Sequence, residues 1–160
     1  MFHEMRRKER MLTNEEAETI LNKAEYGVFS TIGEDGYPYG VPVNYVFYNG
    51  NIYFHCASNV GHKLENIKYN PNISFTVVTD STVIPSGLTT GYSSVIVFGK
   101  ASFAEGEEAK AALLKLVEKL APDFIEKGKS CIESEKMPAS VIKITPEYIT
   151  GKANKQKYKG

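Results

Sequence analysis

At 160 residues the chain has the length of a single domain, residues 1–160, and can bury a core without disulfides or a structural metal. Its 19 basic and 19 acidic residues cancel, which removes a global field as an argument for nucleic acid or an anionic membrane. Cys56 and Cys131 lie far apart without metal-ligand spacing, and the three histidines form no ligand set, so free thiols and no metal site are expected. No apolar run reaches membrane-spanning length and the first residues lack the apolar centre of a secretory signal, so the expected location is the cytoplasm.

Thr13-Asn14-Glu15-Glu16 is a capping box, and the helix it opens carries Ala17, Ile20, Leu21 and Ala24 on one face. The basic stretch 6–10 before it reads as part of a solvated arm, residues 1–12. At Tyr26 the period changes to two. Tyr26–Ile32 is a strand closed by the turn Gly33-Glu34-Asp35-Gly36, and residues 37–48 read as one long strand. Asn49-Gly50 supplies the positive-φ pair of a tight hairpin and leads into a strand over 51–57. A short helix over 62–69 stops at Asn70-Pro71, and a strand follows over 73–79.

Residues 80–92 are rich in turn formers and read as a loop, after which 93–103 form a strand with a bulge at Gly99. The stripe Ala109, Ala112, Leu113, Leu116, Val117 and Leu120 predicts a helix over 107–120, ended by Pro122. A short helix near 123–128, a polar loop over 130–138, a strand over 139–145, an extended piece over 148–151 and a frayed lysine-rich tail over 152–160 complete the chain. Consecutive antiparallel strands of this number, with few helices, predict a mainly β fold closed into a barrel.

One segment carries chemistry. The strand ending Tyr53-Phe54-His55-Cys56 is followed by the small-residue loop Ala57-Ser58-Asn59-Val60-Gly61 and a helix that opens with His62 and Lys63. A helix start presents unpaired N–H groups and partial positive charge, so this layout suits a phosphoryl group. Lys63 in a first turn opposes the helix dipole unless an anion is bound there; the alternative is a plain surface lysine. His55 is either a satisfied strand histidine or a group that meets a ligand. Val41-Pro42-Val43 is either an edge strand or a ledge whose missing partner is a ligand.

The motifs, taken in order, resemble a known family. They are Met5-Arg6-Arg7-Lys8-Glu9-Arg10, Gly36-Tyr37-Pro38-Tyr39-Gly40-Val41-Pro42-Val43-Asn44-Tyr45, Tyr53-Phe54-His55, Gly61-His62-Lys63-Leu64-Glu65-Asn66-Ile67, Asn70-Pro71-Asn72-Ile73-Ser74-Phe75, Tyr92-Ser93-Ser94-Val95-Ile96-Val97-Phe98-Gly99-Lys100-Ala101 and Ile149-Thr150-Gly151-Lys152. The series is similar to the FMN-binding split β-barrels related to pyridoxamine 5′-phosphate oxidase, in the branch named for nitroimidazole resistance. The resemblance implies a six-stranded antiparallel split barrel with flanking helices, a homodimer, and FMN in two clefts at the subunit interface.

By position, the resemblance places Gly40, Val41, Pro42, Val43 and Asn44 along the isoalloxazine. Phe54 and His55 fall on the strand that reaches toward the phosphate, His62 and Lys63 at the phosphate itself, and Ser93 and Ser94 where the second subunit meets the flavin. His62 stands where the oxidases carry arginine, and Asn44 where they carry a basic residue. The C-terminal arginine- and histidine-containing substrate end of the oxidases has no counterpart here. The activity implied is an FMN-dependent oxidoreductase or reductase taking electrons from a small donor to a small acceptor such as a nitroaromatic, with His55 as the candidate proton donor. Other readings of the same cleft are a non-catalytic flavin, haem or deazaflavin binder with a sensing or storage role, and a structural barrel with a degenerate site.

Overall fold

The computed structural model describes residues 2–57, 60–134 and 140–155. Ser58 and Asn59 of the small-residue loop, residues 135–139 and the last five residues of the tail lie outside them. Seven strands, β1 (Tyr26–Ile32), β2 (Pro38–Asn44), β3 (Val46–Tyr48), β4 (Asn51–Cys56), β5 (Asn72–Ile84), β6 (Thr89–Ala104) and β7 (Ser140–Asn154), form one antiparallel sheet in the order β2-β1-β5-β6-β7-β4-β3. The two edge strands, β2 and β3, are consecutive in the chain with Tyr45 alone between them. The 38–48 segment therefore borders the sheet on both sides, and the sheet curls into a split barrel.

The predicted 37–48 strand thus becomes two, and six expected strands become seven. The cause is Tyr45, whose fully buried ring meets Phe75 edge-on at 4.9 Å while its hydroxyl donates to the Leu21 carbonyl at 2.6 Å. Anchoring that one side chain in the core bends the strand there. Inward residues fill the barrel: Phe29, Phe54, Phe75, Ile52, Val95, Val97, Ile142 and Ile144 are all fully buried. Each such side chain contributes about 1.5–3 kcal/mol by leaving water.

Among the described residues four α-helices flank the barrel. α1 (Asn14–Lys23) starts at the expected capping box, Thr13 Oγ1 accepting from the Glu16 N–H at 3.2 Å and Glu16 accepting from the Thr13 N–H at 2.9 Å. Its apolar face, Ala17, Ile20 and Leu21, joins the barrel core. α2 (His62–Tyr69) is tied to β1 by a buried hydrogen bond from Asn66 Nδ2 to Thr31 Oγ1 at 2.9 Å. α3 (Gly106–Leu120) covers the outside of β3, β4 and β7 through a second cluster of Val46, Tyr53, Ala104, Ala112, Leu116 and Val141. Glu108 fixes that helix, accepting from the Tyr53 hydroxyl at 2.8 Å and from Lys143 Nζ at 2.6 Å. α4 (Ile125–Glu133) folds back against α3.

Other expectations are corrected. Residues 80–92 are not a loop: β5 runs to Ile84, β6 starts at Thr89, and a register shift between Thr79 and Thr82 absorbs the left-handed Asp80, φ 54°. The second short helix lies over 125–133 rather than 123–128 and takes up the first residues of the expected loop over 130–138; α4 approaches α3 so closely at Gly128 that a Cβ there would lie 2.6 Å from Val117 Cγ1. β7 continues unbroken through Pro146, because the expected bulge at Gly99 falls opposite it and the ladder does not need its missing N–H. Lys152 lies in that strand rather than in a frayed tail. The arm is not simply solvated: Phe2 stacks on Phe98 and Tyr148 at 5.4 and 5.1 Å on the outer face of the sheet. The Asn49-Gly50 turn has the expected positive φ values, 48° and 73°.

Candidate functional site at the split between two strands

β3 and β4 pair from Tyr48↔Asn51 to Val46↔Tyr53, and there the two chains part. Beyond that point β2 pairs with β1 alone, Asn44 opposite Tyr26 through Pro38 opposite Ile32, while β4 stays on β7 through Phe54↔Ile142, His55↔Val141 and Cys56↔Ser140. Among the described residues each of the two strands keeps one edge with no strand against it, and these edges diverge from Tyr45. Such edges present backbone N–H and C=O groups that a flat polar ligand can use. Along β2, Gly40, Pro42 and Asn44 face outward beside Ser30, Val28 and Tyr26, and Val41 and Val43 pack toward the core.

α2 stands at the far end of the opening. Among the described residues no side chain caps its N-terminus, since Gly61 has none to offer; the Leu64 and Glu65 N–H groups donate to the Gly61 carbonyl at 2.9 and 3.1 Å, so the N–H groups of His62 and Lys63 are the ones placed for another acceptor. Lys63 is half-buried and turns toward Cys56. Burial pushes the Cys56 thiol up, and the Lys63 ammonium beside it offsets part of that. His62 diverges from Lys63: its ring lies on Tyr39 with centroids 4.1 Å apart, in a recess of about 230 Å³ shared with Glu34, Asp35 and Glu65. The two residues do not converge on one point.

The remaining predicted positions scatter. The Phe54 side chain is fully buried against Phe29, centroids 4.9 Å apart, so only its backbone reaches the opening. His55 is exposed on the outer face at the edge of the opening and also borders an apolar cleft beneath α3 and α4. Ser93 and Ser94 lie on β6, three strand spacings from β2 or about 14 Å, so within one chain they do not join the ledge. Near them Tyr92 lies between Lys152 and Arg10. Burial raises its phenol, but hydrogen bonds to those two cations outweigh this and hold it below its ordinary value.

One residue was missed from sequence. Lys119, near the end of α3, reaches into a polar cleft of about 470 Å³ shared with Asn22, Lys23, Glu25 and Asn44. Its ammonium donates to the Ala24 carbonyl at 2.6 Å and lies 4.2 Å from the centroid of the Tyr45 ring, and burial lowers its pKa. Asn44 Nδ2 donates to the Glu25 carbonyl at 3.0 Å on the rim of the same cleft. In the sequence Lys119 is one more polar position on an amphipathic helix, with no local signal that sets it apart.

Residues 13–153 match the family described as pyridoxamine 5′-phosphate oxidase. Among solved structures, the chain is similar to a candidate 5-nitroimidazole antibiotic resistance protein of Bacteroides thetaiotaomicron, at 22% identity and TM-score 0.74 over 89% of this chain and 86% of that one. It is similar to the flavocytochrome Anf3 of Azotobacter vinelandii, at 21% identity and TM-score 0.77 over 96% and 73%. An FAD-binding protein of Mesorhizobium loti aligns at 24% identity and TM-score 0.63 over 92% and 97%. No curated protein matches the chain. At these identities the structural likenesses establish the fold.

Proposed function

The chain belongs to the pyridoxamine 5′-phosphate oxidase family, and we propose that it is a homodimeric FMN-binding flavoprotein acting as an oxidoreductase on a small acceptor. The observation that carries this reading is the split: two strand edges open from Tyr45, with a helix N-terminus and Lys63 at the far end. An isoalloxazine is flat with hydrogen-bonding groups along one edge, and the Gly40 to Asn44 backbone offers donors and acceptors of matching kind, Pro42 excepted as a donor. The phosphate would meet the first-turn N–H groups of α2 and Lys63. His62, turned onto Tyr39, would contribute little.

A bound flavin supplies the hydride and electron chemistry itself, while the protein supplies placement and electrostatics. At Asn44, where the oxidases carry a basic residue, Lys119 provides a cation from another element. That charge would favour a reduced, anionic ring. The second protomer enters through the outer face of the sheet, where Val28, Ile96 and Phe98 are each 36–40% exposed. An apolar face of this kind on a soluble barrel is covered in the assembled state. It would also bring Ser93 and Ser94 of one chain to the ledge of the other, a contact that the 14 Å spacing forbids within a chain.

The test is the visible spectrum of the purified protein, FMN titration into the apo form of wild type and Lys63→Ala, and mass by light scattering. Flavin bands, micromolar or tighter binding that weakens in the variant, and a dimer mass would sustain the reading. A sharp Soret band would replace flavin with haem, and no binding at micromolar FMN would overturn the proposal.

A further inference from the structure

A second opening lies behind His55, on the side of β4 that faces α3 and α4. It has a volume of about 300 Å³, at the small end of pockets that hold organic ligands, and its walls are Leu113, Leu116, Val117 and Phe124. The space is built into the helix crossing. α3 and α4 touch at Gly128 and Val117, too closely for any side chain at 128, and diverge over the wall of β4.

The polar groups at this cleft are of one kind. His55 and Lys127 border it, and among the described residues no side-chain partner engages either. Among the described residues no carboxylate lines the cleft. Of the acids on the two helices, Glu126 pairs with Lys129 at 2.9 Å and Glu118 with Lys115 at 2.7 Å. An apolar space rimmed by donors and lacking an acid matches a ligand with a hydrocarbon body and an anionic head.

We propose that this cleft binds a small apolar carboxylate, its body against Leu113, Leu116 and Val117 and its head on Lys127 and His55. The site shares His55 with the edge of the split but needs no cofactor.

The chain carries its own reporter. Cys131 borders the cleft and is exposed, while Cys56 is buried, so a small thiol reagent added to the native protein reads Cys131. Decanoate should slow that reaction saturably, and decanol, without the charge, should do so about tenfold more weakly. Lys127→Glu, an exposed change, should weaken decanoate protection by about tenfold. Leu113→Trp should fill the space and abolish the protection; if that variant fails to fold, Lys127→Glu decides alone. No protection, or equal protection in Lys127→Glu, overturns the proposal. So does protection by FMN alone, which would assign the cleft to the flavin, or protection that grows with protein concentration without ligand, which would assign it to a second copy. Apart from protection by FMN, each of these failures leaves the FMN titration above to stand or fall separately.

Discussion

The two openings beside β4 share a strand and a histidine yet differ in kind. The split toward β2 is walled by backbone, since its floor is a pair of strand edges and its ends carry charge, Lys63 at α2 and Lys119 at Asn44. The cleft beneath α3 and α4 is walled by aliphatic side chains, and β4 spends its backbone there on β7. Strand divergence exposes hydrogen-bonding groups, whereas helix divergence exposes side chains because helices satisfy their own backbone. A ligand with a polar edge therefore suits the first opening, and one with a hydrocarbon body suits the second.

The comparison can be broken or sharpened by substitution. Phe54→Ala removes a fully buried ring from the core beneath both openings and should cost about 3–5 kcal/mol in a denaturant melt, lowering stability without distinguishing them. Lys63→Ala acts on the split alone: FMN binding measured by calorimetry should weaken by about 10–100-fold while decanoate protection of Cys131 is unchanged. Lys119→Met should leave FMN affinity nearly intact and lower the flavin midpoint potential by about 30 mV, a tenfold effect for a two-electron couple. An unchanged potential would remove Lys119 from the ring's surroundings.

The smallest effect belongs to the tether of α3. The Lys143 ammonium, then the Tyr53 hydroxyl, holds the Glu108 carboxyl below its ordinary value of 4.5. Folding thus favours the ionised form; the stabilisation is complete above pH 4.5 and is lost as pH falls through the lower folded value. Glu108→Gln should flatten that acid limb in melts taken from pH 6 to pH 3. A limb identical to wild type would mean that the pair does not hold α3.

Much of the barrel could be read from local pattern. The capping box at Thr13, the Asn49-Gly50 hairpin and the stripe of α3 are each fixed by interactions within a few residues, and each appears where the sequence placed it. The failures were set by distant partners. Residues 80–92 contain turn formers, but the pairing of β5 with β6 overrides them. The second short helix runs past Gly128 to Glu133, into the expected polar loop, where it packs against α3.

The candidate site divides in the same way. The order strand, small-residue loop, helix with Lys63 was legible because a helix N-terminus is a local object, and the motif series pointed to the family. That β2 and β4 part after Val46 and Tyr53, that His62 turns onto Tyr39, and that Lys119 comes to Asn44 were decided by the tertiary structure. The sequence determines which backbone conformations and faces each segment prefers, since those energies come from neighbours in the chain. Where two edges separate and which distant cation fills the gap depend on packing across the barrel, and only the folded chain brings those groups within reach of one another.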